Sequence, residues 1–512
     1  MPRLLPKVRG IRKTLSGGSG GGSLHKRITE LKNRRGKKPD KDDNLENNND
    51  QSGDNTHGTN GATTNNKSHA EHSFNTTVSL TEGDADWIVR KTETRVAETV
   101  AKSRFIQSHT RLYNLPRFSH DDMELGDMIA NGGFCEVRAI KSFFVANSLP
   151  DGCGAEPRRY VIKHLAPKLV SKPKQLAIGA KDLVMEGYVL SALDHENILQ
   201  VKGFASSGVS GYANTGRIDG FFLVLPRLDK TLHKQLHEWR VAVKRQQKLL
   251  ASSNNSNSSF LTDDGGATDT AAGACPAYED ASTSESDLAD MDNSSDEDDS
   301  NFDPETFPFF TQRLQTAVEI ASAISYCHRN RILYRDLKPA NVGYSFEEDR
   351  VKLFDFGLAV ELPPSNDPEA VFKLPGNTGT GKNAIRAAMD GIGNGVLIQY
   401  RNLTPLCLFN FSSTARYMAP EVVKAIPYGL KADVFSFCML LHEIMALIKP
   451  FDKLTGKEVK EQVAGLGRRP VIDKSWPIAV RRLLRRGFSE SPELRPRMDD
   501  IQDILEDVVE CF

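Results

Sequence analysis

The chain has 512 residues, of which 39% are hydrophobic and 26% are charged, and its formal net charge is -1. A nearly neutral chain offers no whole-molecule electrostatic case for nucleic-acid binding, so we expect no direct nucleic-acid site. The seven cysteines are scattered and include no Cys-x-x-Cys pair, which argues against a disulfide framework or a zinc site.

The N-terminal 83 residues are polar, glycine-rich and asparagine-rich, which predicts a disordered region. Basic residues dominate its first forty positions. They form either a solvated tail or a segment that binds anionic surfaces, directs nuclear import or acts as a transit peptide. Residues 84–117 follow, where apolar residues recur at helical spacing and predict a helical lead-in to the folded part.

Apolar runs are short along the whole chain. None approaches the roughly 18 residues of a membrane helix, and the N-terminus lacks the apolar core of a secretory signal. We therefore expect an intracellular protein without a transmembrane segment. The cytoplasm is the simplest compartment, and the nucleus or an organelle stays open.

A glycine-rich stretch, "MIANGGFCEVRAI", is the first with chemical meaning. Alternating apolar residues flank a turn of small residues, so a strand-turn-strand here exposes backbone N–H groups to bound phosphates. An ordinary hairpin is the alternative. A second stretch, "GNTGTGKN", resembles a phosphate-binding P-loop but lacks the Ser or Thr that binds Mg²⁺ and the surrounding strand and helix.

A lysine and a glutamate form the second feature. Lys163 lies in the short β-branched strand "RRYVIKHL", where a buried cation needs an anionic partner. Glu186, in the helical run "LVMEGYVLSALDHENIL", is the candidate partner. The alternative is an unpaired charge on a helix surface.

An acidic, serine-rich insert at about 251–301 separates these features from the loop "ILYRDLKPANVGY", and we expect the insert to stay solvated. In the loop, the Asp336 carboxylate is suited to accept a hydroxyl proton and Lys338 to face a transferring phosphate. The Asn341 amide oxygen and the Asp355 carboxylate of "VKLFDFGLA" are hard ligands suited to Mg²⁺.

Taken in order, these stretches resemble a eukaryotic protein kinase catalytic domain over residues 118–512. The matching motifs are "ANGGFCEV", "YVIK", "YRDLKPAN", "DFG", "APE", "ADVFSF" and "ESPELRPRM". The resemblance is closest to the mixed-lineage type of the tyrosine-kinase-like group, and Lys338 favours Ser/Thr acceptors on protein substrates. It implies an α+β, two-lobed fold with a small antiparallel sheet plus one helix and a larger helical lobe.

The same resemblance assigns roles, with ATP and Mg²⁺ as cofactors. Lys163 would contact the α and β phosphates and pair with Glu186, and Asp336 would be the base. Lys338 would face the transferring phosphate, and Asn341 and Asp355 would hold the metal. It also implies that Asp433 braces the catalytic loop and that Arg495 pairs with Glu421. The implied nucleotide-binding residues are Ile129, Ala130, Asn131, Gly132, Gly133, Phe134, Cys135, Glu136, Val137, Val161, Lys163, Leu225, Leu228 and Gly343.

The sequence departs from the family pattern at four positions. Ala130 and Cys135 replace glycines, Tyr334 replaces a histidine, and Gly343 stands where a larger apolar residue is usual, which predicts a roomier adenine floor. Cys135 is either a small substitute or a redox-sensitive thiol. Ala130, Cys135 and Tyr334, together with the long insert at about 382–412, keep a second function open, a pseudokinase scaffold that binds ATP or partners without turnover.

A last feature lies at about 382–412. Removing these residues joins "GNTGTG" directly to "STARYMAPEV", which restores the family's activation segment. We interpret them as a retained intron or gene-model error, with a genuine insertion as the alternative. In the family that the chain resembles, an arginine before the catalytic aspartate usually accompanies control by phosphorylation of the activation segment, so Arg335 implies such control here. The candidate acceptors are Thr378, Thr380, Ser412, Ser413 and Thr414. The basic N-terminus and the acidic insert are candidate sites for regulatory partners.

Overall fold

The structure is a computed structural model that describes residues 79–144, 159–257, 278–280, 307–367, 369–374 and 414–511. The predicted disordered region therefore lies outside the described residues up to position 78. The segment 382–412 lies outside them too, as does every candidate phosphorylation site except Thr414. All described residues belong to one compact unit, Phe74–Phe512.

The described part of the chain folds into eleven helices and thirteen strands. The helices are α1 (Glu82–Val100), α2 (Arg104–His109), α3 (Pro173–Ala192), α4 (Gly211–Thr215), α5 (Leu232–Asn257), α6 (Phe310–Arg329), α7 (Pro420–Val423), α8 (Lys431–Ala446), α9 (Gly456–Lys460), α10 (Ile478–Gly487) and α11 (Met498–Cys511). The strands are β1 (Arg117–Phe118), β2 (Met123–Asn131), β3 (Cys135–Phe143), β4 (Tyr160–Leu165), β5 (Gly203–Ala205), β6 (Phe222–Pro226), β7 (Lys230–Thr231), β8 (Tyr278–Asp280), β9 (Ile332–Leu333), β10 (Val342–Ser345), β11 (Arg350–Leu353), β12 (Val360–Glu361) and β13 (Arg468–Pro470).

A six-stranded sheet in the order β1-β5-β6-β4-β3-β2 forms the N-terminal lobe. Its neighbours are antiparallel except β1 and β5. The central strand β4 is almost entirely buried, as its apolar sequence predicts. The long helix α3 packs beside this sheet, so the lobe has the predicted composition of one sheet and one principal helix.

The C-terminal lobe is built around α8. This helix is apolar on nearly all sides and buried along almost its whole length, which is the pattern of a central core helix. It packs against α6 and α10, and α6 also packs against α11. A three-stranded sheet, β11-β10-β7, carries the loops where the candidate site residues lie. The predicted α+β, two-lobed fold is confirmed.

Part of the predicted acidic insert at 251–301 has regular secondary structure. Helix α5 continues through Asn257, seven residues into that range. Farther along, β8 pairs antiparallel with β13 of the C-terminal lobe. Backbone pairing with an exposed strand edge requires no apolar side chains, which is why composition alone did not reveal it.

The predicted helical lead-in contains α1 and α2. Thr81 caps α1 by accepting a hydrogen bond from the Asp84 backbone N–H at 3.2 Å. Four inward-facing residues of α1 are buried, and they are Ala85, Ile88, Thr92 and Val96. Within the described ranges, none of the helices is long and apolar enough to cross a bilayer.

Candidate active site

Lys163 and Glu186 form a buried ion pair between β4 and α3. The Lys163 ammonium lies 2.8 Å from Glu186 Oε1 and 2.6 Å from Oε2. Their side chains are 12% and 3% exposed, so both charges depend on each other for compensation. Burial alone would lower the pKa of Lys163, but the carboxylates of Asp355 and Glu186 outweigh it and raise that pKa.

Asp355 follows the end of β11 in a left-handed backbone conformation with φ of 64°. Such a conformation is uncommon outside glycine and is maintained only where the surroundings enforce it. It brings Asp355 Oδ1 to 3.0 Å from the Lys163 ammonium. The nearby Lys163 cation lowers the pKa of the Asp355 carboxyl, although burial opposes the effect. Asp355 is therefore an anion at neutral pH.

Asp336 lies at the centre of the catalytic-loop cluster and is 5% exposed. The Lys338 ammonium donates to its Oδ2 at 2.6 Å. The Asn341 amide N–H donates to the same oxygen and to the Asp336 backbone carbonyl, each at 2.9 Å. Burial raises the pKa of Asp336, while the Lys338 cation limits the rise. A carboxylate with a raised pKa is a stronger proton acceptor.

The backbone of this loop is held by a buried carboxylate on α8. Asp433 accepts hydrogen bonds from the backbone N–H groups of Tyr334 at 2.7 Å and Arg335 at 2.8 Å. Its Oδ2 also lies 3.1 Å from His328 Nε2. Arg335 has a positive φ of 75°, so the loop adopts a sparsely populated conformation that these bonds help to maintain.

Tyr334, which replaces the usual histidine, is fully buried. Its hydroxyl donates to the Phe354 carbonyl oxygen. Its ring packs edge-on against Phe356 with ring centroids 4.9 Å apart. The larger side chain is thus accommodated and satisfied, and its phenol anchors the strand end that precedes Asp355.

The glycine-rich stretch forms the predicted hairpin between β2 and β3. The Gly132 N–H donates to the Cys135 carbonyl at 2.8 Å, and the Ala166 N–H donates to the Phe134 carbonyl at 2.8 Å. Cys135 pairs with Leu165 of β4. Burial raises the pKa of the Cys135 thiol to about 12, which favours the small-substitute interpretation over a reactive thiolate.

One prediction about the region expected to hold adenine is wrong, namely the space beside Gly343. Val161 and Leu225 are paired neighbours in β4 and β6, as a pocket wall requires. Gly343 does not leave a roomier floor, because the Leu228 side chain occupies the space beside it. A Cβ atom at position 343 would lie 2.5 Å from Leu228 Cδ1. The missing side chain of Gly343 is thus replaced by Leu228 from the connecting strand.

The oxygen atoms of Asn341 and Asp355 fit a divalent-cation site whose other metal ligands come from a bound molecule and water. Asn341 immediately precedes β10, Asp355 follows β11, and the pairing of Val342 with Leu353 brings these two ends together. The Asn341 amide nitrogen donates to Asp336, so the amide oxygen is the atom of this side chain that could bind a metal ion. No group of three or more His, Cys, Asp or Glu able to hold a metal occurs among the residues described. A hard cation here would therefore take its remaining ligands from phosphates and water.

Two more carboxylates, those of Glu421 and Glu361, make hydrogen bonds outside these clusters. Arg495 donates to both oxygens of Glu421, at 2.7 and 2.9 Å, which agrees with the pairing implied by the resemblance. Glu361, six residues after Asp355, contacts residues of α2. No spacing pattern in the sequence singles out Glu361, because its partners lie more than 250 positions away.

Comparison with known proteins places the similarity in the C-terminal lobe. The family described as protein kinase domain matches residues 300–380, and protein tyrosine and serine/threonine kinase matches residues 410–505. The two matches leave residues 381–409 uncovered, almost the whole of the predicted insert at 382–412.

Curated relatives agree with these matches. Serine/threonine/tyrosine-protein kinase HT1 of Arabidopsis thaliana is 29% identical over 39% of this chain and 40% of its own length. Serine/threonine-protein kinase STY17 of the same plant is 28% identical over 38% of this chain and 27% of its own length. Mitogen-activated protein kinase kinase kinase 7 of Bos taurus is 24% identical over 41% of this chain and 30% of its own length. The chain thus spans less than half the length of each of these relatives.

Proposed function

We propose that this chain is a protein kinase of the tyrosine-kinase-like type, on the strength of the matches at residues 300–380 and 410–505 and of the curated relatives. It would transfer the γ-phosphoryl group of ATP to Ser/Thr hydroxyls of protein substrates. The observation that carries the proposal is the arrangement of the predicted reactive side chains in two hydrogen-bonded clusters. One joins Lys163, Glu186 and Asp355, and the other joins Asp336, Lys338 and Asn341.

Each group has a distinct task in the proposed reaction. Lys163, held by Glu186, binds the nucleotide phosphates, and Asn341 and Asp355 hold a divalent cation, proposed to be Mg²⁺. The cation supplies charge stabilisation to the phosphates when bound. Asp336 accepts the proton of the substrate hydroxyl through its raised pKa. Lys338, whose ammonium lies 2.6 Å from Asp336 Oδ2, is positioned to neutralise charge on the transferring group.

The proposed catalytic domain covers residues 118–512. In this proposal the basic N-terminal region and the acidic part of the insert are regulatory or localising segments that engage partners. The scaffold alternative gains no support, because Tyr334 is accommodated and the indispensable charged groups are in contact. Ala130, another of the four departures from the family pattern, pairs with Val137 within the β2-β3 hairpin.

The direct test uses the full chain, Mg-ATP and a degenerate peptide library with Ser, Thr and Tyr acceptors. We expect labelling of Ser and Thr peptides, and Asp336→Asn should lower kcat by about 10²–10⁴-fold. The matched control is Asp503→Asn, an exposed aspartate on α11, which should leave the rate unchanged. ATP binding by the wild-type chain without phosphoryl transfer would establish the scaffold function instead.

A further inference from the structure

Helix α3 carries Glu186, so a shift of this helix separates Glu186 from Lys163. The segment ahead of the sheet, residues 79–114, packs along α3, and we call it the N-terminal brace. The buried face of α1 is directed against α3 and α4. Its residues Ala85, Ile88, Thr92 and Val96 recur every three or four positions, which is the spacing of one helical face. The brace therefore shares an apolar interface with the helix that carries Glu186.

The brace also holds the C-terminal end of α3. The Arg111 backbone N–H donates to the Ser191 carbonyl at 3.1 Å, and its guanidinium donates to the Leu193 carbonyl at 3.1 Å. The same guanidinium pairs with Asp194 at 3.1 Å. A cation at a helix C-terminus satisfies carbonyls that lack helical partners and interacts favourably with the helix dipole. These bonds oppose sliding of α3 along its axis.

A third contact connects the brace to the segment that follows Asp355. Ser103 caps α2 by accepting from the Ile106 N–H at 2.9 Å, and its hydroxyl donates to Glu361 Oε2. The Phe105 N–H donates to Glu361 Oε1 at 3.2 Å. Ser103 is only 7% exposed, so this bond is largely shielded from water. Glu361 itself pairs with Ile332, four residues before Asp336.

We infer that the N-terminal brace is a built-in positioning element, and that Glu361 is the positioning residue through which it acts on the active site. The inference rests on the proposed kinase function. Lys163 has two anionic partners, Glu186 on α3 and Asp355 ahead of β12. The brace contacts α3 directly and contacts β12 through Glu361, so one segment holds both partners in place. Regulation through the N-terminal region would then act by loosening this brace.

The kinetic test measures phosphoryl transfer by full-chain variants of Ser103 and Glu361. Ser103→Ala and Glu361→Ala should each lower kcat about tenfold, the scale of one charge-assisted hydrogen bond. The protein-substrate KM should stay unchanged. The double variant should be no slower than Glu361→Ala alone, because both changes remove one shared contact. Ser103→Thr, which keeps the hydroxyl, should restore the rate.

The matched control is Thr455→Ala, which removes a comparable N-terminal cap from α9 without touching the brace. Hydrogen exchange of α3 amides supplies a readout independent of catalysis, and it should accelerate in Glu361→Ala but not in Thr455→Ala. Unchanged hydrogen exchange of α3 in Glu361→Ala, or a lowered Tm with unchanged kcat, would contradict the proposed positioning role of the brace. If the wild-type chain transfers no phosphate, the proposed function is wrong. The hydrogen-exchange test would then still decide whether the brace holds α3 in place.

Discussion

The Lys163 ammonium lies 2.6 Å from Glu186 Oε2, with a second carboxylate, that of Asp355, at 3.0 Å. One cation thus joins the principal helix of the N-terminal lobe to a strand end of the catalytic region. Because the Glu186 side chain is 3% exposed, it has almost no access to water that could replace the lysine. The pair is consequently important for both stability and catalysis.

Replacing Lys163 by methionine tests both roles. Loss of the phosphate-binding cation should lower kcat/KM by about 10²–10³-fold. The buried carboxylate left behind should reduce the free energy of unfolding by about 3–5 kcal/mol. Steady-state kinetics and urea unfolding measure the two effects. Lys174→Met, which removes an exposed lysine from α3, should change neither, and equal effects of both substitutions would contradict the assignment.

The pH dependence of the rate should depend on Lys338. Burial raises the pKa of Asp336, and the Lys338 cation counteracts that rise. The carboxylate must be ionised to accept a proton, so activity is lost as the pH falls through the pKa of Asp336. Lys338→Met removes the counteracting charge and should move the acidic limb of the kcat/KM profile to higher pH. A limb that stays in place would show that Asp336 does not determine it.

Arg495 should be required for the stability of the C-terminal lobe. Its side chain is fully buried, and both Glu421 oxygens depend on it. Arg495→Ala should destabilise the protein by about 3–5 kcal/mol because Glu421 would remain buried without its partner. Arg497, two positions away, is 59% exposed in its pair with Asp500. Arg497→Ala should therefore cost less than about 1 kcal/mol in the same urea titration.

The contact between Gly343 and Leu228 gives a prediction for nucleotide binding. A side chain at position 343 would overlap Leu228 Cδ1, so Gly343→Leu should displace Leu228 and weaken ATP binding. Overpacking of this kind costs about 1–3 kcal/mol. The double variant Gly343→Leu with Leu228→Ala should recover most of the affinity, measured by calorimetric titration. Unchanged affinity in the single variant would show that the floor tolerates the added volume.

The segment 382–412 should be dispensable. The two family matches stop at residue 380 and resume at 410, which supports a foreign sequence at this position. A chain that lacks these residues should transfer phosphate at least as fast as the full chain in the peptide assay. Sequencing of spliced transcripts decides the origin, because transcripts that retain codons 384–411 would refute the intron interpretation.

The sequence predicted side-chain contacts where the proposed chemistry requires specific residue types at short spacing. Asp336, Lys338 and Asn341 belong to one loop, and the structure brings their side chains into contact. The partnership of Lys163 with Glu186 also followed from local context, since a buried lysine needs a nearby anion. The floor beside Gly343 was predicted wrongly, because the space left by a glycine depends on which distant side chain can enter it.

The sequence by itself determined the set of reactive groups, the order of the two lobes and the segments rich in polar residues, because these depend on residue type and periodicity. Only the tertiary structure decided which distant groups meet. Ser103 and Glu361 are 258 positions apart, and β8 and β13 are separated by most of the C-terminal lobe. Such contacts depend on how packed elements bring chain segments together, and no local pattern of residues encodes that geometry.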